Sequence, residues 1–226
     1  MSQRPSSLIV LGSERQRLKV NLPHLKVGDE RIPPKDKVRS LGLLLDANMT
    51  IVPQVSNCVR SSVYHLRNIK RIRQHLNSNA AKQVVHAFVT SRIDMYNSTL
   101  FGLPNVQIQR IQKVLNATAR MITRQRLSDH ITPTLQQLHW LPVKQRIVFK
   151  ILTLTFKVLS GECPAYLSDL VNLQQARRTG LRSGDYKKLF ERRCRRQWGD
   201  RSFAAAAPHM WNTLPLAVKE SQSTYI

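Results

Sequence analysis

Acidic side chains that could hold catalytic metal ions are scarce and dispersed in this sequence. Only 13 Asp and Glu residues occur among 226, and the only adjacent pair is Asp29-Glu30, which follows Gly28 in a predicted hairpin turn. Phosphoryl and nucleotidyl transfer by two metal ions needs carboxylates that converge on ions about 4 Å apart. Two adjacent acids in a turn do not supply that arrangement, so independent catalysis is not expected.

Other combinations of reactive side chains also lack the required geometry. Ser128, Asp129 and His130 are the residue types of a hydrolase triad, but immediate neighbours point in different directions and cannot form the Ser–His–Asp relay. Capping of the following helix explains Ser128 and Asp129 better. The three cysteines are too few and too widely spaced for a disulfide framework or a zinc site. The sequence therefore predicts no catalytic residue, no metal site and no cofactor.

The charge of the chain predicts its partner. The sequence has 36 Lys and Arg residues and a formal charge of +23, which favours a polyanion such as RNA, DNA or an RNA–DNA hybrid. An acidic membrane surface is the competing partner, but no lipid-anchor motif or spanning helix is present. No small-molecule substrate is expected. The first residues lack the apolar run of a signal peptide, which predicts an intracellular protein.

One basic row lies on the first predicted helix. Apolar residues recur every three or four positions from Val52 to Leu76, Ile72 among them, and predict an amphipathic helix. Its opposite face carries residues spaced i, i+4, i+7 and i+11, namely Arg60, Tyr64, Arg67 and Arg71. No acid occurs between Asp46 and Asp94, although a solvated helix face usually mixes charges of both signs. The arginines of this row could contact phosphates while the tyrosine contacts a sugar or a base. The alternative is a helix face that is merely solvated.

A second basic row is predicted on a later helix that begins near Pro104. Its buried side is formed by Ile108, Ile111, Val114, Leu115, Thr118 and Ile122, and its basic row by Arg110, Lys113, Arg120 and Arg124. Between the two lies a helix from Ala80 to about Leu100, capped by Asn79, with Phe88 buried and His86 beside it as a packed core residue.

Near the end of the chain, a flexible basic arm is predicted after Val171. Its densest run, Arg192, Arg193, Arg195 and Arg196, is a candidate nucleic-acid contact. The same run could be a nuclear-import signal, so the location within the cell is cytoplasm, nucleus or both. Phe203, the following alanines, Pro208, Met210, Trp211 and Leu214 are expected to pack back onto the core.

The core itself is predicted around a helix from Val143 to Leu159 that is apolar almost all round and should be buried on several sides. Pro142 and Gly161 mark its ends, and Trp140 should pack against it. Thr132-Pro133 is predicted to be the cap and first residue of a short preceding helix.

The opening residues predict β structure. Leu8 to Leu11 is an apolar run, residues 25–32 predict a hairpin, and residues 38–45 predict a strand broken at Gly42. The predicted fold is mostly α, with a small β-hairpin segment (1–46), a helical bundle (47–171) and a basic, partly irregular C-terminal region (172–226).

Several motifs together resemble the C-terminal region of reverse transcriptases from non-LTR (LINE-type) retrotransposons, in particular the chicken-repeat and jockey-like elements. The motifs are Asp129-His130-Ile131-Thr132-Pro133, Leu138-His139-Trp140-Leu141-Pro142-Val143, Phe149-Lys150-Ile151, Phe101-Gly102-Leu103-Pro104, Gly199-Asp200-Arg201-Ser202-Phe203 and Trp211-Asn212-Thr213-Leu214-Pro215. The same resemblance is carried by Val38-Arg39-Ser40-Leu41-Gly42, His86-Ala87-Phe88-Val89-Thr90-Ser91-Arg92-Ile93-Asp94, Tyr96-Asn97 and Ala207-Pro208. Together the motifs cover nearly the whole chain.

The resemblance implies a piece of an RNA-directed DNA polymerase that starts just past the active site. The family's palm aspartate and Tyr-x-Asp-Asp turn are absent, so Mg²⁺ is expected only for the missing palm. The β segment would be the end of the palm with the hairpin that grips the primer. The helical bundle would be the thumb, which packs on the template–primer duplex and implies backbone binding.

Two alternatives remain open. The chain could be a non-catalytic protein-interaction or structural remnant whose charge is incidental, or the product of a decayed element that does not fold stably without its palm. The resemblance also leaves open an association with the polymerase portion.

Overall fold

The structure is a computed structural model that describes residues 7–20, 23–173, 188–194 and 197–219. The described residues are mostly helical, with two small antiparallel sheets near the start of the chain, which confirms the predicted fold class. The chain forms two compact units. The first is drawn from Met1–Ile93 and Gln109–Arg124, and the second from Asp94–Ile108 and Gln125–Ile226. These boundaries differ from those of the three segments predicted from the sequence.

Two hairpins form the sheets of the first unit. β1 (Leu25–Val27) pairs with β2 (Glu30–Ile32), as predicted. β3 (Lys37–Ser40) pairs with β4 (Leu43–Asp46), so the prediction of one broken strand is wrong. The chain reverses at Leu41-Gly42, where both residues have positive φ, 48° and 89°, as a type I′ two-residue hairpin turn requires.

The apolar run that opens the chain forms no strand. Leu8 makes a single bridge with Pro34, and its carbonyl accepts the Lys35 N–H at 2.8 Å. A short helix, α1 (Glu14–Arg17), follows.

α2 (Val52–Ile72) confirms the first amphipathic helix and continues as a 3-10 turn, Arg73–His75. Its line of buried residues is Val55, Ser62 and Ile69, which are spaced by seven. Ile72 was predicted on the buried face and is 48% exposed. At about 100° per residue it lies roughly 80° round the helix from that line, so this prediction is wrong.

The helix predicted from Ala80 to Leu100 is divided into several pieces. α3 (Ser78–Val85) begins earlier than predicted because Asn77, not Asn79, caps it: Asn77 Oδ1 accepts the Ala80 N–H at 2.8 Å. The remaining pieces are a π-helical turn (His86–Thr90), α4 (Ser91–Asp94) and a 3-10 turn (Asn97–Leu100).

The π-helical turn decides which side chains reach the core. The buried residues Ala81, Val85, Val89 and Ile93 recur every four positions. An α-helix advances 3.6 residues per turn, and the wider π turn keeps this line on one side. It also turns Phe88 outward, so the prediction that Phe88 is buried is wrong. His86 is exposed as well, rather than packed in the core.

α5 (Asn105–Thr123) confirms the helix predicted after Pro104. Its predicted buried side is buried throughout: Ile108, Ile111, Val114, Leu115, Thr118 and Ile122.

In the second unit, α6 (Ile131–Gln137) is capped differently from the prediction. Its N-cap is His130, which places Thr132-Pro133 inside the first turn, and no side chain caps it. The Asp129 carboxylate instead accepts the Arg126 N–H at 2.9 Å, in the turn before the helix. The capping roles predicted for Thr132-Pro133 and for Ser128-Asp129 are therefore wrong.

α7 (Val143–Leu159) has the predicted bounds, with Pro142 at its N-cap. Its buried residues form one face: Val143, Ile147, Ile151, Thr155 and Val158. Burial on several sides is wrong for the side that carries Phe149, which is 58% exposed. On this helix the Arg146 guanidinium lies 5.7 Å from the centre of the Trp140 ring and pairs with Asp94 at 2.6 Å.

The remaining described helices are α8 (Ala165–Ser168), α9 (Gln197–Asp200), α10 (Phe203–Asn212) and α11 (Leu216–Lys219). α10 packs against α7 and buries Ala206, Ala207, Pro208 and Trp211, as predicted. Most of the predicted basic arm lies outside the described residues.

One contact joins the loop before α5 to the segment before α10. Arg201 Nε donates to the Phe101 carbonyl at 3.2 Å, and a Cβ placed on Gly102 would lie 2.7 Å from Arg201 Cγ. Gly102 and Gly161 have φ of +70° and +74°, but a Cβ on Gly161 would meet open space. The positive φ favours glycine at both positions. Only at Gly102 would a larger side chain also clash with a neighbour.

Candidate nucleic-acid interface

The start of α2 is fixed by a buried carboxylate. Asp46 accepts hydrogen bonds from the Thr50 N–H at 3.0 Å, the Thr50 hydroxyl at 2.9 Å and the Ile51 N–H at 2.8 Å. The buried Gln54 side chain accepts the Leu44 N–H at 3.0 Å and ties the first turn to β4. These bonds set the rotation of α2, and with it the direction in which every later side chain of the helix points.

The predicted basic row of α2 lies on its solvent side. Its members, Arg60, Tyr64, Arg67 and Arg71, are all exposed, Tyr64 to 62%. At about 100° per residue they lie roughly half a turn from the buried line of Val55, Ser62 and Ile69. The row is about 16 Å long at 1.5 Å per residue, which matches about five phosphates of one strand at 3.4 Å of axial rise.

No acidic side chain neutralises this row within the described residues: the ion pairs there are Arg17–Asp36, Arg146–Asp94 and His209–Glu191. The sequence explains why, since residues 47–93 contain no Asp or Glu. Unopposed cations on one helix face produce a local positive potential that attracts polyanions.

Hydrogen bonds hold α2 and α5 side by side in the first unit. Arg110 Nη2, near the start of α5, donates to Ser56 Oγ, near the start of α2, at 3.0 Å. Arg73, just past the end of α2, donates to the carbonyls of Met121 and Ile122 at 3.1 and 2.7 Å, near the end of α5. The two helices therefore run in the same direction.

The second predicted row is less uniform than the first. Lys113 and Arg124 are exposed, and Arg124 has a left-handed φ of 58° just past the end of α5. Arg110 and Arg120 are half-buried, and Arg110 makes the bond to Ser56. Lys113 and Arg124 are thus the members of this row most accessible to a ligand.

An aromatic cluster beside the first row was not predicted from the sequence. His65 stacks on Phe88 with ring centres 5.5 Å apart and planes 27° apart, and Tyr64 meets His65 edge-on at 5.3 Å. Phe88 is 46% exposed. The four-residue spacing of Ala81, Val85, Val89 and Ile93 was the sequence signal for the π turn that brings Phe88 here.

The surroundings of His65 favour its neutral form. Partial burial lowers the pKa of the imidazole, and the nearby positive charge of Arg92 lowers that pKa further. Arg92 itself is held by a hydrogen bond from its Nε to the Phe88 carbonyl at 3.1 Å. His65 therefore binds a proton less readily than a free histidine does, and the cluster is bordered by the cation Arg92.

The predicted C-terminal contacts fall partly outside the described residues. Arg192 and Arg193 are exposed, whereas Arg195 and Arg196 are not among the described residues.

Among the described residues, no three His, Cys, Asp or Glu side chains are grouped closely enough to hold a metal ion. No helix within the described ranges has the length and apolar character needed to cross a membrane.

Comparisons of the chain with protein-family models, with curated proteins and with solved structures gave no match.

Proposed function

We propose that this chain is a post-catalytic, thumb-like piece of a non-LTR retrotransposon reverse transcriptase that binds nucleic-acid backbone without sequence preference. The observation that supports the proposal best is the exposed row of Arg60, Tyr64, Arg67 and Arg71, opposite the buried face of α2 and unopposed by acids. The motifs that resemble the reverse transcriptases support it independently, since in that family this region packs on the template–primer duplex.

The proposed mechanism is electrostatic. Arginines of the row contact phosphates and release the counterions condensed around them, so affinity falls as salt concentration rises. Because the contacts are to phosphate and not to base edges, sequence contributes little. Lys113 on α5 and Arg124 just past its end are further exposed cations of the first unit that can contact phosphates. The chain performs no polymerisation by itself.

The test is a salt series of fluorescence-anisotropy titrations with a short RNA–DNA hybrid. Each phosphate contact contributes about 0.9 to the slope of log K against log salt on a B-form duplex. The double variant Arg67→Gln/Arg71→Gln should therefore lower the slope by about 1.8, which is roughly a 30-fold loss of affinity at about 0.15 M salt.

The matched control is Lys150→Gln/Lys157→Gln, which removes two exposed cations from α7 and changes the net charge equally. The control should keep nearly the wild-type slope. Equal losses in the two variants would mean that only total charge matters, and absence of binding by the folded wild type would reject the proposal.

A protein-interaction role is the second candidate, favoured by apolar side chains on the two hairpins. Leu25, Val27 and Leu41 are 43%, 53% and 95% exposed, and two-stranded sheets have free edges to which another strand can add. The polymerase portion of the same element would be the partner. Co-purification of this chain with a separately expressed palm, lost on Leu41→Lys, would support this role.

A further inference from the structure

The aromatic cluster of Tyr64, His65 and Phe88 exposes rings that binding to a phosphate backbone does not require. Large apolar rings in contiguous contact are usually covered by the protein's own chain, and exposed ones mark binding surfaces. Here Tyr64 and Phe88 are 62% and 46% exposed, and His65 links them through ring contacts of 5.3 and 5.5 Å.

The cluster is held in place by elements on both sides. Tyr64 and His65 belong to α2, and Phe88 belongs to the π-helical turn that packs against it. Val85 and Val89 on either side of Phe88 are fully buried, and Arg92 Nε holds the Phe88 carbonyl. The outward direction of the Phe88 ring therefore follows from core packing, and π turns of this kind are frequent at functional sites.

The charges around the cluster identify the ligand. Arg60 and Arg67 lie one helical turn on either side of Tyr64, about 5–6 Å between Cβ atoms. Residues 47–93 supply both α2 and the π-helical turn and contain no acid, so the elements that carry the cluster present cations and aromatic rings but no carboxylate. An apolar peptide would use the rings but leave the cations unmatched, whereas a nucleic-acid strand with unstacked bases matches both.

We propose that the aromatic cluster is a stacking platform for unpaired bases, and that the first unit consequently prefers single-stranded nucleic acid to duplex. This rests on the proposed function, because the basic row must hold the phosphates of the same strand. Phe88 offers a ring face to a base, and Tyr64, which contacts His65, adds a second exposed ring. Arg60 and Arg67 contact the flanking phosphates. Duplex presents no free base face and uses the basic row alone.

The experiment compares three probes: a thymidine strand of about 15 nucleotides, an abasic strand of the same length, and a blunt duplex of about 15 base pairs. Wild-type protein should bind the thymidine strand most tightly. Phe88→Leu keeps an apolar side chain and the charge but removes the ring. It should weaken binding to the thymidine strand roughly tenfold, within the range for one stacked base, and leave the other two probes unchanged.

The matched control is Phe149→Leu, which removes another exposed aromatic ring, from α7, and should change none of the three affinities. Circular dichroism checks that each variant keeps the helical content of the wild type.

The remaining outcomes of the three-probe comparison distinguish stacking from backbone binding and from a structural role of Phe88. Equal affinity of the wild type for the thymidine and abasic strands, with a steep salt slope, would overturn the stacking platform and leave backbone binding intact. Equal loss on all three probes in Phe88→Leu would mean that Phe88 supports the fold of the basic row instead of contacting a base. Failure of the wild type to bind any probe would overturn both proposals.

Discussion

Replacing Gly102 by Ala tests the packing of the second unit, and Gly161→Ala provides a matched reference. Both glycines have left-handed φ near +70°, so the conformational strain of an L residue is nearly the same at the two positions. That strain is about 1–2 kcal/mol and is offset by roughly 0.4–1 kcal/mol, because alanine restricts the unfolded chain. Gly161→Ala should therefore destabilise by about 0.5–1 kcal/mol.

At Gly102 a second effect is added. The new Cβ would lie 2.7 Å from Arg201 Cγ, which is close to the Arg201 backbone and cannot be displaced as easily as the end of the side chain. The arginine must move and give up its bond to the Phe101 carbonyl. Hydrogen bonds from charged groups contribute about 1.5–3 kcal/mol, so Gly102→Ala should destabilise by roughly 2–4 kcal/mol in total.

The assay is urea unfolding followed by tryptophan fluorescence, since all three tryptophans lie in the second unit. In a chain that already carries Arg201→Ala, the Gly102→Ala change should cost no more than Gly161→Ala does. Equal destabilisation by the two glycine variants in the wild-type background would refute the contact between Arg201 and Gly102.

Three further predictions concern the first unit. Arg73→Met should destabilise α5 by about 2 kcal/mol, because it removes a cation bonded to the last carbonyls of that helix. Faster amide hydrogen exchange in α5 would show this loss. Arg71→Met, at an exposed position two residues earlier, should change the exchange rates little. Asp46→Ala should destabilise the start of α2 by about 2–4 kcal/mol in urea unfolding, since three hydrogen bonds to one buried carboxylate are lost. The pKa of His65, measured by NMR titration, should lie below its usual value and rise in Arg92→Gln without reaching that value, because burial is the larger cause. Because protonated His65 is less favourable in the folded protein than in the unfolded chain, the free energy of unfolding should decrease as the pH falls below about 6.5. An unchanged His65 pKa in Arg92→Gln would contradict the role of Arg92.

Helix-terminating residues and apolar periodicity predicted well the helices that run without a break. Pro142 and Gly161 fix the ends of α7 by local chemistry, and the three- and four-residue spacing fixed the buried side of α5. The turn at Leu41-Gly42 was not predicted because leucine rarely adopts positive φ. The pairing of β3 with β4 holds Leu41 in that conformation.

The candidate site was predictable only within single helices. The spacing of Arg60, Tyr64 and Arg67 shows that they share a face, whereas the approach of Phe88 depends on tertiary packing and on a π turn that ordinary helical periodicity does not describe. Sequence could not separate surface cations from internal ones either. Arg73 caps α5, and this role follows only from where α2 and α5 end in space.

The two compact units are interleaved along the chain, and this sets the order in which they can form during synthesis. The first unit is complete once Arg124 has been made, and the second already contains Asp94–Ile108 but needs α10 as well. At about 5–20 residues per second, the ribosome needs roughly 4–18 s to add the residues between Arg124 and the end of α10. The 3-10 turn that carries Leu100 packs against α7, which is made before α10. Until α7 has been made, Leu100 lacks that packing partner, so the nascent chain carries an apolar segment that a chaperone could hold.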